Sequence, residues 1–204
     1  MPDAEQELRE QLRALARAAD LPLPELEVEP DPKAEKLPTR VRRGDDGVRR
    51  IYASSNMLTM SPEERTWHLA SSLGWWASPV PRRRRRQTWA VLTAVVVPWA
   101  ALTLASLFDN IDLPRAVLLL GTLLGLVFPG FCAGLIRRER RSFDAAGHDV
   151  LAASGHSPAT LARQVFGGRQ DPPWHKQLFS AEPTASSRIA AAEEWHSRPH
   201  RALH

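Results

Sequence analysis

Two long apolar stretches lie in the middle of the chain. They run from Gln87 to Phe108 and from Ala116 to Ile136, and neither contains a charged residue. An α-helix needs about 20 apolar residues to cross a bilayer, so each stretch is long enough to span. The short segment between them, Asp109 to Arg115, suffices only to reverse the chain. The pattern predicts a two-helix transmembrane hairpin over residues 87–136, with spans at about 87–108 and 116–136.

Arginines flank the predicted hairpin on its outer sides. This basic flank comprises Arg82, Arg83, Arg84, Arg85, Arg86, Arg137 and Arg138. The turn between the spans carries only Arg115. By the positive-inside rule we expect an integral membrane protein with two spans and both termini in the cytoplasm. A basic run can also bind nucleic acid, but because this one adjoins the spans we expect it to contact the lipid bilayer and no nucleic acid.

Before the predicted transmembrane hairpin, the pattern of polar and apolar positions predicts a helix, a strand and a β-hairpin. Apolar residues from Leu8 to Ala19 recur at helical spacing and predict an amphipathic first helix that ends near Asp20. Alternation in Glu25 to Glu29 favours a strand, and the proline-rich segment from Pro30 to Pro38 is expected to be an ordered loop. Two further alternating segments flank Gly44 to Gly47 and predict a small antiparallel β-hairpin.

Helix-start signals are clearest at Ser61, where an N-cap serine precedes a proline and a glutamate placed for a capping box. The helix is predicted over residues 62–78. After the membrane hairpin, helices are predicted from Ser142 to Ser154, from Ser157 onward, and from Thr184 or Ser186 onward. Residues 197–204 are expected to be a flexible tail.

Composition adds little to this picture. The net charge of +4 comes largely from the arginines beside the predicted spans and does not require an acidic substrate. The single cysteine, Cys132, lies in the second predicted span and excludes a disulfide framework.

The order of these elements resembles the HtpX-type, CAAX-prenyl-endopeptidase-like family of membrane zinc metallopeptidases. The resemblance rests on the β-hairpin, the helix containing LASSLGWW, the basic two-span hairpin, and the segments RRSFDAAGHDVLAASGHSPATLARQV and PPWHKQLFSAEPTASSRIAA. It implies a mainly α fold with a small antiparallel sheet, an α+β zincin-like metallopeptidase fold interrupted by the hairpin. Residues 1–86 and 137–196 would be the two halves of that domain.

Several positions depart from the family's chemistry. Family members carry L-A-H-E-L-G-H on the helix after the β-hairpin, with two zinc-binding histidines and a general base. In this chain Leu69, Ala70, Leu73 and Gly74 match, but Ser71, Ser72 and Trp75 replace the two histidines and the base. The resemblance further implies that Ser142 replaces the glutamate ligand, Ala146 the orienting aspartate and Glu182 an auxiliary histidine; the set of degenerate positions is Ser71, Ser72, Trp75, Ser142, Ala146 and Glu182.

Serine is a weak zinc ligand at neutral pH, and an indole nitrogen has no lone pair to offer a metal. We therefore expect no intact catalytic residue, no metal and no cofactor, where the family would hold zinc. His68 is expected to be a partly exposed helix residue, and Asp144 and His148 a surface contact four residues apart. A serine nucleophile would need an oriented base, and Glu182 is the only acid that the resemblance brings near Ser71 and Ser72.

The chain is thus predicted to be a catalytically inactive pseudoprotease that acts by protein binding or regulation, with a membrane-protein client or another protease as partner. The alternative is a zinc metalloendopeptidase with non-standard ligands, in which His68, His148 or Glu182 binds the metal. A third hypothesis is a structural membrane protein whose arginines organise anionic lipid.

Overall fold

The computed structural model describes residues 2–29, 38–78 and 115–197, together with the isolated positions 90, 93, 94 and 98. Within 115–129 it describes the course of the backbone. The predictions for Pro30 to Leu37, for most of the first span, for Arg82 to Arg86 and for the last seven residues of the tail lie outside these ranges.

The described chain is mainly helical, with a small three-stranded sheet. The helices are α1 (Pro2–Ala18), α2 (Pro62–Ala77), α3 (Arg115–Ala153), α4 (Pro158–Phe166), α5 (Trp174–Phe179) and α6 (Ala185–Ser197). The strands are β1 (Leu26–Glu29), β2 (Thr39–Arg43) and β3 (Arg49–Ser54), and a 3-10 helix follows at Ser55–Thr59.

The sheet is mixed, so the prediction of a purely antiparallel sheet was wrong. Its order is β1-β3-β2. The predicted hairpin is confirmed: β2 and β3 pair antiparallel across a turn in which Gly47 adopts a φ of +79°, a conformation that glycine tolerates best. β1 adds to the free edge of β3 in parallel, with Leu26 opposite Ile51. Alternation within β1 indicates a strand but carries no information about the direction of its partner.

Two predicted helices, α1 and α2, contribute buried residues to the hydrophobic core. The apolar stripe of α1 is confirmed, because Leu8, Leu12 and Leu15 are almost completely buried. At the start of α2, Ser61 accepts a hydrogen bond from the backbone N–H of Glu64, and the Glu64 side chain accepts one from the backbone N–H of Ser61. This capping box fixes where α2 begins.

The other end of α2 is tied to the sheet through two hydrogen bonds. The indole N–H of Trp76 donates to the carbonyl oxygen of Arg49 at 3.0 Å, and the Arg49 guanidinium donates to the carbonyl oxygen of Trp75 at 3.1 Å. These bonds hold the last turn of α2 against the first residue of β3.

The predicted helix from Ser142 is confirmed as the C-terminal part of the longer helix α3. Gly155 ends it with a φ of +81°, and the backbone N–H of His156 bonds to the carbonyl oxygen of Leu151. Ser157 caps α4 as expected. The short helix α5 had no counterpart among the sequence predictions.

The chain forms two compact units. One comprises Met1–Ser78, Arg141–Asp171 and Thr184–His204, and the other Pro79–Arg140 and Pro172–Pro183. The first unit contains the sheet, and the second contains α5 with the N-terminal part of α3. The described residues include no helix with both the length and the apolar content needed to cross a bilayer.

Candidate functional site

The backbones of α2 and α3 touch where the two helices cross. A Cβ atom on Gly74 would lie 1.8 Å from the carbonyl oxygen of Ala146, and one on Gly147 would lie 2.6 Å from the Cα of Ser71. Neither glycine could be replaced by a larger residue unless the helices moved apart. We call this contact the α2–α3 crossing.

The crossing brings together several of the positions that the sequence singled out. Ser71 lies against Gly147, and the carbonyl group of Ala146 lies against Gly74. The Trp75 ring contacts the Phe143 ring with centroids 5.8 Å apart, and Phe143 directly follows Ser142 on α3. One contact region therefore contains Ser71, Trp75 and Ala146, together with Phe143, which is next to Ser142.

The two serines have different surroundings, although both are completely buried. The Ser72 hydroxyl donates to Thr39 Oγ1 at 2.6 Å, and Thr39 Oγ1 donates to the carbonyl oxygen of His68 at 3.4 Å. Ser71 Oγ has no hydrogen-bond partner among the described residues. Ser72 thus connects α2 to the start of β2 and is engaged in a structural bond.

His148 is buried, so the predicted surface contact with Asp144 was wrong. Only 1% of His148 and 8% of Asp144 are exposed. The imidazole lies between Trp67 and Trp195, with ring centroids at 5.6 and 6.0 Å. Burial lowers the pKa of His148 to about 4, which makes the ring neutral at pH 7. Neither ring nitrogen has a hydrogen-bond partner within the described part of the chain.

Asp144 pairs with an arginine on α6. Arg188 Nε lies 3.0 Å from Asp144 Oδ2, and both side chains are largely buried. The Arg188 guanidinium also lies over the Phe166 ring, 4.7 Å from its centroid. A buried acid of α3 thus lies at position 144, two residues before Ala146, the position at which the resemblance implies that an aspartate has been lost.

His68 is half-buried, as predicted. Burial first, and then the positive charges of Arg188 and Arg169, lower the pKa of His68 to about 3. A histidine held neutral in this way keeps a lone pair, but it lies beside cations rather than beside acids that would complete a metal site.

Glu182 belongs to the second unit. Its exposed carboxylate pairs with Arg140 on α3 at 2.9 Å. Of the basic flank, Arg137 and Arg138 lie on α3 in the same unit, and Arg137 donates to carbonyl oxygens at the end of α5.

Metal-ligating side chains do not assemble in the part of the chain that the structure describes. No group of three or more histidine, cysteine, aspartate or glutamate side chains there could hold a metal ion.

The aromatic cluster around His148 went unpredicted, although the sequence carries a signal for it. Asp144, Gly147, His148 and Leu151 follow the spacing i, i+3, i+4, i+7 of a buried helix face. Because Asp144 and His148 are polar, they were predicted to lie at the surface, although they belong to this buried face. Trp67 and Phe166 complete the cluster, with ring centroids 5.3 Å apart in an edge-on arrangement.

Comparison with known proteins identifies no relative. No protein-family model, curated protein or solved structure matches the chain.

Proposed function

We propose that this chain is a membrane-anchored pseudopeptidase that resembles the HtpX-type family and acts by binding protein rather than by hydrolysis. In this proposal the first unit is a degenerate zincin-like domain. Residues 87–136 form a transmembrane hairpin, and both termini lie in the cytoplasm.

The proposal depends above all on the close packing at the α2–α3 crossing. In the family, the equivalent helices are joined by a zinc ion held between their side chains. Here a Cβ atom on Gly147 would lie 2.9 Å from Ser71 Oγ, so the backbone of α3 fills the space beside position 71. An imidazole at that position would require the helices to separate, at a cost of about 1–3 kcal/mol for overpacking.

Aromatic packing supports the same proposal at position 75. The indole of Trp75 packs against Phe143 at 5.8 Å, where the family would place a ligand histidine opposite a ligand glutamate. Ring packing stabilises the contact without a metal. Ser72, at the position of the general base, uses its hydroxyl group in a bond to Thr39.

The expected partner is a membrane-protein client or another protease. A scaffold that keeps the family's arrangement of helices but lacks its ligands can still bind a polypeptide near the bilayer. The basic flank and the uncharged stretches that it encloses support the membrane part of the proposal.

Hydrolysis and metal dependence test the proposal together. Full-length protein purified in detergent should leave casein intact, both with added zinc and with a chelator. Chelator-sensitive cleavage of casein would contradict it. If His68→Gln, His148→Gln or Glu182→Gln then abolished that cleavage, the result would support the alternative, a peptidase with non-standard ligands. His156→Gln, at an exposed histidine, is the control.

Topology can be tested separately. Protease added outside sealed inside-out vesicles should digest epitope tags at both termini, because both termini are proposed to face the cytoplasm. Protection of one tag alone would contradict the two-span arrangement, and protection of both would contradict the cytoplasmic location of the termini.

A further inference from the structure

The short helix α5 exposes more than half of each of its three large apolar side chains. Trp174 is 74% exposed, Leu178 52% and Phe179 60%. Trp174 and Leu178 lie one helical turn apart and therefore share a face. Three large apolar side chains on a helix of six residues form a patch that is costly to hold in water.

The part of α3 that belongs to the same unit also exposes two large apolar side chains. Phe131 is 46% exposed and Ile136 39%. A Cβ atom on Gly130 would lie 3.8 Å from the carbonyl oxygen of Leu178, so α5 lies beside α3 at that level. Gly130 precedes Ile136, the proposed end of the second span, by about 9 Å along the helix at a rise of 1.5 Å per residue. α5 thus adjoins a part of α3 that the proposed span would place below the membrane surface.

Backbone carbonyl groups at the end of α5 are satisfied by a cation from α3. Arg137 donates to the carbonyl oxygen of Ser180 from Nε at 3.1 Å and from a terminal nitrogen at 2.8 Å, and it also donates to that of Gln177. The Gln177 amide donates to the carbonyl oxygen of Pro172 at 2.7 Å. Such partners lower the cost of bringing helix-terminal carbonyl groups close to apolar lipid, which offers no donors of its own.

We infer that α5 is an interfacial helix that inserts Trp174, Leu178 and Phe179 into an anionic lipid bilayer beside the second span. Tryptophan favours the headgroup level, and leucine and phenylalanine favour the acyl chains below it. The exposed side chain of Lys176 and the arginines of α3 match the negative charge of the headgroups. The inference rests on the proposed transmembrane hairpin and adds a second, shallow contact with the same membrane.

Site-specific fluorescence tests the depth of α5. In a Cys132→Ser background of the full chain, single cysteines at Leu178, Gln164 and Val127 are labelled with an environment-sensitive dye. Leu178 reports on α5, Gln164 on an exposed position of α4, and Val127 on the proposed second span. The proteins are placed in nanodiscs of phosphatidylcholine and phosphatidylglycerol, with or without brominated acyl chains, and iodide serves as the aqueous quencher.

The expected result is that brominated lipid quenches the label at 178 about twofold more strongly than the label at 164, while iodide does the reverse. A label at 178 that iodide quenches as strongly as the label at 164 would overturn the inference. Shielding of position 178 from both quenchers would indicate a protein contact and would also overturn it. The label at 127 separates the two proposals, since quenching of that label by iodide contradicts the hairpin itself.

A matched pair of arginine variants tests the role of Arg137. Arg137→Gln removes the bonds to the end of α5, and Arg141→Gln removes the same charge from an exposed position one turn away. Only Arg137→Gln should reduce the quenching of the label at 178 by brominated lipid. Equal effects of the two variants would contradict a specific role in holding α5.

Discussion

Two regions of the molecule depart in opposite ways from the usual burial of apolar and exposure of polar side chains. They are the α2–α3 crossing and the α5 patch, which consists of Trp174, Leu178 and Phe179. At the crossing, polar side chains such as Ser71, His148 and Asp144 are buried. On α5, apolar side chains are exposed. A buried polar group needs a partner or a neutral state, whereas an exposed apolar patch needs a surrounding other than water. The comparison indicates that packing determines the first region, whereas the second is the region that we propose contacts lipid.

The largest expected effect is on the packing of the crossing. Gly74→Ala and Gly147→Ala should each lower the free energy of unfolding by about 3 kcal/mol, because the added methyl group meets backbone atoms that cannot move aside. Thermal unfolding followed by circular dichroism measures the change. Gly134→Ala on α3 is the control, since its Cβ would meet no atom within 4 Å. Equal stability of all three variants would show that the helices are not in backbone contact.

Acid should destabilise the first unit through its neutral histidines. The pKa of His148 falls from 6.5 to about 4 on folding and that of His68 to about 3, so the unfolded chain binds more protons than the folded one below pH 6.5. Stability is therefore full above about pH 6.5 and is lost as the pH falls through 4, by about 3 kcal/mol for His148 at 1.4 kcal/mol per pKa unit.

Urea unfolding at pH 7.5 and at pH 5 measures the part of this loss that falls between those two values, about 2 kcal/mol for His148. His148→Phe should reduce the difference in the free energy of unfolding between the two pH values and leave only the contribution of His68. His156→Gln, at an exposed position, should leave that difference unchanged. A His148→Phe variant that retained the full difference would exclude His148 as its source.

Two ion pairs should differ in strength according to their burial. Asp144→Asn should lower the free energy of unfolding by about 2 kcal/mol, because it leaves Arg188 largely buried without its counter-charge. Glu193→Gln should change stability by less than about 0.5 kcal/mol, because its pair with Arg163 is exposed. Chemical unfolding of both variants tests the ranking, and a larger effect of Glu193→Gln would reverse it.

The smallest expected effect on folding is at α5. Leu178→Ser should change the free energy of unfolding in detergent by less than about 0.5 kcal/mol, since the side chain is exposed. Leu151→Ser, at a fully buried position of α3, is the contrasting variant and should be strongly destabilising. Similar losses from the two changes would show that the α5 patch is packed within the protein rather than exposed.

Local signals in the sequence predicted much of the fold. The capping box at Ser61, the glycines of the hairpin turn and the stripe of leucines on α1 each depend on neighbouring residues, and each is confirmed. The parallel pairing of β1 with β3 depends on contacts distant in sequence, and alternation alone does not encode it. Because α5 is only six residues long, it shows too little periodicity for prediction.

The candidate site was predicted less completely. Of the positions that the sequence singled out, Ser71, Trp75 and Ala146 lie at the crossing, because Gly74 and Gly147 allow a close approach of the two helices. The burial of Asp144 and His148 was missed, because Arg188 is far from both in sequence and only the folded chain makes it a partner of Asp144. A polar residue on a helix reveals its burial only through the apolar and small residues that share its face.

Metal content of the intact protein tests the central claim most directly. Full-length protein purified in detergent without chelator, then washed with buffer containing zinc and analysed by inductively coupled plasma mass spectrometry, gives the zinc bound per chain. The account predicts far less than one zinc per chain, with no difference between the unaltered chain and the Ser71→Ala variant. One zinc per chain, lost on substitution of His68, His148 or Ser71, would contradict the account and would identify a metallopeptidase with unusual ligands.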